Sequence, residues 1–247
     1  MTREPVQDTA LVLVAHGDRG GDTRNRWLWS HVEALKQQTR FCRVAGGLLK
    51  GAPSLEEALA EVCRSPARRV LVYPVCMSNG YFVNTILAGR VSGAECGLPV
   101  NILPPLGLDP RLPPLCLEQS LVAARASGYA SETTRLLVVG HGSKFGPASA
   151  LATERMAAEL RRAKRFCKVE PAFLEESPFL HDALASDRGP TVIAGFFSGE
   201  GMHARGDVPA AIEETGADAT YTGAIGVDRR IPSLIEAAVA DELLSAG

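Results

Sequence analysis

Short apolar runs alternate with longer amphipathic stretches along this chain. The C-terminal half carries four apolar runs that predict strands buried on both faces: 135–140, 168–174, 190–197 and 219–224. Between the first two, an amphipathic stretch at 150–164 predicts a helix whose apolar face is formed by Leu151, Met156, Leu160 and Ala163. This βαβα order predicts an α/β fold with a doubly wound parallel sheet.

The chain contains the same half twice. LVLVAHGDRGG at 11–21 aligns with LLVVGHGSKFG at 136–146, an offset of 125 residues. SNGYFVNTI at 78–86 aligns with GEGMHARGD at 199–207, an offset of 121 residues. Three further blocks repeat in the same order, which chance does not explain. We therefore predict two tandem units, at 1–128 and 135–247, with a cleft between them.

Composition narrows the class of protein. The 247 residues are 46% apolar, which is enough for folded cores, and 26 basic against 28 acidic residues leave a net charge of −2. This balance indicates no nucleic-acid partner. Six cysteines scattered singly predict reduced thiols and a cytoplasmic location, and no apolar run is long enough to predict a membrane partner.

Three polar residues follow three predicted strands of the second half. His141 comes after the first strand, Glu175 after the second, and His203 lies in the loop after the third. Ligands of such sheets bind at the carboxyl ends of the strands, so one crevice is expected to hold all three side chains. Two imidazoles and a carboxylate suit Co²⁺, Fe²⁺ or Ni²⁺, and they equally suit proton acceptance.

The first half differs at the matching positions, which are His16, Lys50 and Phe82. A lysine repels a cation and a phenyl ring offers no ligand, so no metal site is expected there. We predict that this half is structural or forms one wall of the cleft.

Several common cofactor motifs are missing from the sequence. The chain has no GxxxxGK[ST] phosphate loop, and its glycines at 140, 142 and 146 are spaced one residue too far apart for a dinucleotide fingerprint. It also lacks HExxH and GxSxG. The sequence therefore predicts no nucleotide cofactor.

Three segments of the second half carry a family resemblance: VVGHGS at 138–143, FLEESP at 173–178 and GMHARGDVP at 201–209. They resemble motifs of the class II tetrapyrrole chelatases, the sirohydrochlorin cobaltochelatase/ferrochelatase (CbiX-like) family. The resemblance implies ATP-independent insertion of Co²⁺ or Fe²⁺ into sirohydrochlorin or a related tetrapyrrole, in cobalamin or sirohaem biosynthesis. It implies that His141 and His203 bind the metal and help to remove pyrrole protons, assisted by Glu175 or its neighbour Glu176.

The implied substrate carries many carboxylates, so donors beside the two histidines become candidates for binding it. These are Ser143, Lys144 and Arg205. Asp207, which precedes Val208 and Pro209, is interpreted as a helix cap.

Two other functions stay open on the sequence alone. One is a tetrapyrrole or metal carrier without turnover, and the other is a metal-assisted hydrolase on the same fold. The protein is expected to be a monomer or a homodimer.

Overall fold

Eight parallel strands form two four-stranded sheets in the computed structural model, which describes residues 6–17, 25–38, 40–143 and 146–245. The strands are β1 Thr9–Ala15, β2 Arg43–Leu48, β3 Arg69–Pro74, β4 Val100–Ile102, β5 Arg135–Gly140, β6 Lys168–Phe173, β7 Thr191–Gly195 and β8 Ala219–Ala224. The α-helices are α1 Arg26–Gln38, α2 Leu55–Cys63, α3 Ala88–Ser92, α4 Leu112–Ala126, α5 Ala148–Arg162, α6 Leu180–Ser186, α7 Val208–Thr215 and α8 Ile231–Ser245.

The two sheets have the same strand order. It is β2-β1-β3-β4 in one and β6-β5-β7-β8 in the other, with every pair of neighbours parallel. Connections leave the central strand in both directions, so the order reverses between β1 and β3 and again between β5 and β7. The predicted α/β class with two tandem parallel-sheet units is confirmed.

Continuous burial of the central strands explains their apolar composition. All seven residues of β1 and all six of β5 are buried, as strands covered on both faces require.

The prediction for α5 was wrong in part, because Leu151 is exposed and Ala163 lies beyond the last helical residue. Ala152, Met156 and Leu160 instead form the buried row at a spacing of four residues.

The compact units do not coincide with the two sequence halves. Unit 1 comprises Met1–Asp109 and Val227–Gly247, and unit 2 comprises Pro110–Gly226. Helix α4, from the first half, packs on β7, β8 and α5 of unit 2, while α8 packs on α1 in unit 1. A helix that follows the last strand of a half can pack on the sheet of either unit. The pattern of polar and apolar residues in the helix therefore does not predict which sheet it covers. Among the helices that the structure describes, none could cross a membrane.

Two of the six cysteines are paired, which corrects the expectation that all are reduced. A disulfide joins Cys63, the last residue of α2, to Cys96, which follows α3, with Cα atoms 5.6 Å apart. The 33-residue separation gives no sign of this pairing in the sequence. Packing of α2 on α3 brings the two cysteines together.

Removal of this disulfide is expected to destabilise the protein. Closing a chain segment of 33 residues restricts the unfolded chain. The chain-entropy estimate for such a loop gives about 3–4 kcal/mol of unfolding free energy, which Cys63→Ala with Cys96→Ala should remove. Denaturant titration of the oxidised protein measures the loss, and Cys167→Ala, at an exposed unpaired cysteine, is the control. Equal midpoints for wild type and double variant would contradict the prediction.

Candidate functional site

The predicted site residues lie at the point where the strand order of unit 2 reverses. His141 follows the last residue of β5 directly, and Glu175 lies two residues beyond the end of β6. His203 begins a π-helical turn, His203–Asp207, that leads into α7. Strands β5, β6 and β7 are parallel neighbours, so these three residues meet at one edge of the sheet.

The two histidines are in direct contact. Nε2 of His141 lies 2.9 Å from Nε2 of His203, and the rings meet edge to face with centroids 4.3 Å apart. The side chains are 40% and 37% exposed, respectively, so a ligand from solvent can reach the pair. The imidazole pair, defined as His141 and His203, is the centre of the site.

Hydrogen bonds at the other ring nitrogens, the two Nδ1 atoms, set the tautomer of both imidazoles. Nδ1 of His203 lies 2.6 Å from Oδ2 of Asp207, and Nδ1 of His141 lies 3.0 Å from the carbonyl oxygen of Gly142. Both oxygens accept hydrogen bonds, so each Nδ1 donates a proton and each neutral ring presents its lone pair at Nε2.

Two such lone pairs repel each other at 2.9 Å unless a positive species lies between them. A shared proton meets this need, and so does a metal ion. Two nitrogen ligands that are each about 2.1 Å from an ion, at about a right angle, lie about 3 Å apart. The imidazole pair therefore has the spacing of two neighbouring ligands of one divalent cation.

Glu175 contacts His141 at the ring nitrogen that does not face His203. Its Oε2 lies 3.7 Å from Nδ1 of His141, whereas Nε2 of His141 is the atom that lies 2.9 Å from His203. Within the described ranges, no group of three or more His, Cys, Asp or Glu side chains is arranged to hold a metal ion. The structure thus joins two of the three predicted ligands and places the third where it can stabilise positive charge on His141.

Glu176 makes a different contact from Glu175. Its Oε1 accepts a hydrogen bond from the backbone N–H of Ser143 at 2.9 Å. Gly142, with φ +76°, leaves room for this carboxylate, since a Cβ there would lie 2.9 Å from the same oxygen. Glu176 therefore holds the loop after β5, and Glu175 is the carboxylate that faces the ring of His141.

The predicted substrate donors have different surroundings. Arg205 is exposed and pairs with Glu200, and the backbone N–H of Ser143 is engaged by Glu176. Lys144 lies outside the described residues. Roles for these three side chains in substrate binding stay predictions.

Asp207 is the functional candidate that the sequence interpretation missed. It was interpreted as a helix cap, but its side chain makes no capping hydrogen bond at the start of α7. It contacts His203 instead. The spacing i, i+4 places two side chains on one helical face, and HARGD carries that signal once the segment is assigned as helical rather than loop.

Unit 1 has the same strands and π-helical turn at the matching positions, but different side chains. Residues Phe82–Leu87 form the π-helical turn that matches His203–Asp207. The ring of Phe82 lies 4.1 Å from that of His16, centroid to centroid, and Nζ of Lys50 lies 6.0 Å from the centroid of Phe82. An aromatic ring and an ammonium group thus occupy the positions of His203 and Glu175.

Comparison with known proteins agrees with the internal duplication. A sequence model of the CbiX family matches residues 10–122 and again 135–242. The chain is 20% identical to a probable sirohydrochlorin cobaltochelatase of Halobacterium salinarum, over 89% of this chain and 86% of that protein.

Two solved structures share the fold over nearly the whole chain. One is CbiX, described as the terminal enzyme for biosynthesis of siroheme in denitrifying bacteria, at 29% identity and TM-score 0.74, covering 94% of this chain and 98% of that one. The other is SirB from Bacillus subtilis with Fe³⁺, at 17% identity and TM-score 0.78, covering 95% of both chains.

Proposed function

Because the chain belongs to the CbiX family, we propose that it inserts Co²⁺ or Fe²⁺ into sirohydrochlorin or a closely related tetrapyrrole, without ATP. The observation that carries the proposal is the imidazole pair, whose two Nε2 atoms face each other at 2.9 Å. The similar protein of Halobacterium salinarum, a probable sirohydrochlorin cobaltochelatase, supports the choice of substrate.

The first step is capture of the metal ion by the imidazole pair. Each ring is held with its lone pair inward, His203 by Asp207 and His141 by the Gly142 carbonyl. A hydrogen-bond acceptor at the other ring nitrogen fixes the orientation of an imidazole ligand. Because both rings are partly exposed, the ion keeps open positions for the pyrrole nitrogens of the substrate.

The second step exchanges the ion for protons. Insertion replaces two pyrrole N–H protons of the macrocycle with one divalent ion. As the ion moves to the pyrrole nitrogens, the two Nε2 lone pairs become free to accept those protons. At 2.9 Å the pair has room for one shared proton, and the second pyrrole proton passes to the solvent that both partly exposed rings contact. The site therefore gives up the +2 charge of the ion and keeps a charge of +1.

Two carboxylates offset that charge throughout the exchange. Asp207 contacts Nδ1 of His203, and Glu175 lies 3.7 Å from Nδ1 of His141. Each ring therefore has a carboxylate near its Nδ1, which offsets positive charge held at the site.

The direct test is metal insertion followed by the visible spectrum of the macrocycle. Purified protein, sirohydrochlorin and Co²⁺, Fe²⁺ or Ni²⁺ are mixed in parallel anaerobic reactions, with and without ATP. We expect a rate above the protein-free reaction for Co²⁺ or Fe²⁺, and no effect of ATP. The ratio of the rates identifies the ion that the protein inserts fastest.

Two results would replace the proposal. Stoichiometric macrocycle or metal binding without rate enhancement selects a carrier. Hydrolysis of phosphate or acyl esters, with no insertion, selects a metal-assisted hydrolase.

A further inference from the structure

Unit 1 presents an exposed aromatic cluster at the positions of its own sheet that correspond to the imidazole pair of unit 2. Phe82 lies against His16, and its ring centroid is 6.2 Å from that of Tyr81. Tyr81 is 65% exposed and Phe82 is 42% exposed, which is unusual for adjacent aromatic residues. We name His16, Lys50, Tyr81 and Phe82 the aromatic site.

The exposed rings are not needed to hold their own segment in place. The π-helical turn Phe82–Leu87 packs into the core of unit 1 through Val83 and Leu87, which are buried. The start of the same turn in unit 2 also projects outward, since Met202, which matches Tyr81, is 65% exposed as well. Both units thus use this turn to present side chains to solvent, as π-helical turns often do at functional sites.

The charge beside the rings has the opposite sign from that in unit 2. Lys50 takes the position of Glu175, is exposed, and makes no ion pair with any residue that the structure describes. Its Nζ lies 6.0 Å from the centroid of Phe82. The site therefore combines an apolar ring surface with an exposed positive charge, which disfavours a cation and favours a flat anion.

We infer that the aromatic site binds the tetrapyrrole macrocycle, with Tyr81 and Phe82 against its ring face and Lys50 paired with a peripheral carboxylate. This inference rests on the proposed function for the identity of the ligand. It assigns unit 1 a ligand of its own, although it has lost the cation-binding groups of unit 2. A macrocycle that is apolar on its faces and acidic at its rim matches both features of the site.

Equilibrium binding of metal-free sirohydrochlorin tests the inference without turnover. Its fluorescence is titrated with wild type, with Tyr81→Ala combined with Phe82→Ala, and with Lys50→Glu. We expect each variant to raise the Kd at least 10-fold, and Lys50→Arg to stay near the wild-type value. Val122→Ala, at another exposed apolar residue, is the matched control and should leave the Kd unchanged.

A second pair of substitutions separates stacking from mere apolar contact and from loss of folding. Tyr81→Leu with Phe82→Leu keeps an apolar surface but removes the rings, and it should still weaken binding several-fold. Co²⁺ binding by these variants should equal that of wild type, since the imidazole pair is intact.

The outcomes distinguish this inference from the proposed function. If wild type inserts metal while all these variants bind the macrocycle with unchanged Kd, the inference fails and the proposed function stands. If wild type binds the macrocycle through these residues but inserts no metal, the proposed function fails and the inference stands. Unchanged Kd with a shift in sedimentation would reassign the aromatic site to contact between two copies of the chain.

Discussion

Replacement of both His141 and His203 by alanine is expected to lower the rate of metal insertion by about 10²–10⁴-fold, the usual contribution of positioned acid–base groups. The two rings supply the facing Nε2 atoms, and among the described residues no third His, Cys, Asp or Glu forms a metal-holding group with them. Under the proposed function, the double variant is expected to lose both the ligands that hold the ion and the bases that accept the pyrrole protons.

Stability should change little, which makes this result interpretable. The two side chains are 40% and 37% exposed, so their removal leaves no buried cavity. Thermal unfolding and circular dichroism of the variant should match those of wild type. His181→Ala provides the control, because His181 is an exposed histidine of α6 in the same unit.

Metal binding by the same variants identifies which step is lost. Titration with Co²⁺, followed through its visible absorption, should show binding by wild type and by His181→Ala but little by the double variant. A double variant that inserts metal at the wild-type rate would overturn the proposed roles of both histidines.

Much of the site was predictable because a duplicated parallel sheet constrains where residues meet. Val72 pairs with Ile102 in unit 1, and the corresponding residues Ile193 and Tyr221 pair in unit 2. Ile193 follows Val72 at the repeat offset of 121 residues, and Tyr221 follows Ile102 at a nearly equal offset of 119 residues. Once the strand order is known, residues after adjacent strands must share one edge. The proximity of His141 and His203 could therefore be predicted from the sequence without any side-chain coordinates.

What the sequence could not supply depends on packing between elements far apart in the chain. Nothing in the spacing of Cys63 and Cys96 indicates that α2 and α3 pack together, and nothing in the polarity of α4 indicates that it covers the sheet of unit 2. The contact of Glu175 with Nδ1 of His141 depends on the course of the loop after β6. The ends of neighbouring strands determine which residues lie near each other. Side-chain conformations determine which of their atoms are in contact.

Asp207→Asn is the sharpest test of how His203 is held. The carboxylate accepts a hydrogen bond from Nδ1 of His203 at 2.6 Å and so keeps the lone pair at Nε2. An amide in its place bears no charge, and its NH₂ group can donate to Nδ1 and move the ring proton to Nε2, where it blocks the ion. Loss of such backing typically costs about 10–100-fold in metal affinity or activity, and we expect a loss in that range.

The choice of asparagine separates this role from helix capping. Asparagine caps helices about as well as aspartate, so a residue whose only role was to cap α7 would show no loss on this substitution. Asp182→Asn is the matched control, since Asp182 lies 3.7 Å from Nδ1 of an exposed histidine, His181, in the same unit.

The kinetic pattern completes the argument for Asp207. Asp207 contacts His203, the proposed metal ligand, so Asp207→Asn should raise the KM for the metal and lower kcat while the KM for sirohydrochlorin stays constant. Unfolding free energy should stay near the wild-type value. Equal metal affinity in Asp207→Asn and Asp182→Asn would mean that His203 is oriented by the π-helical turn alone.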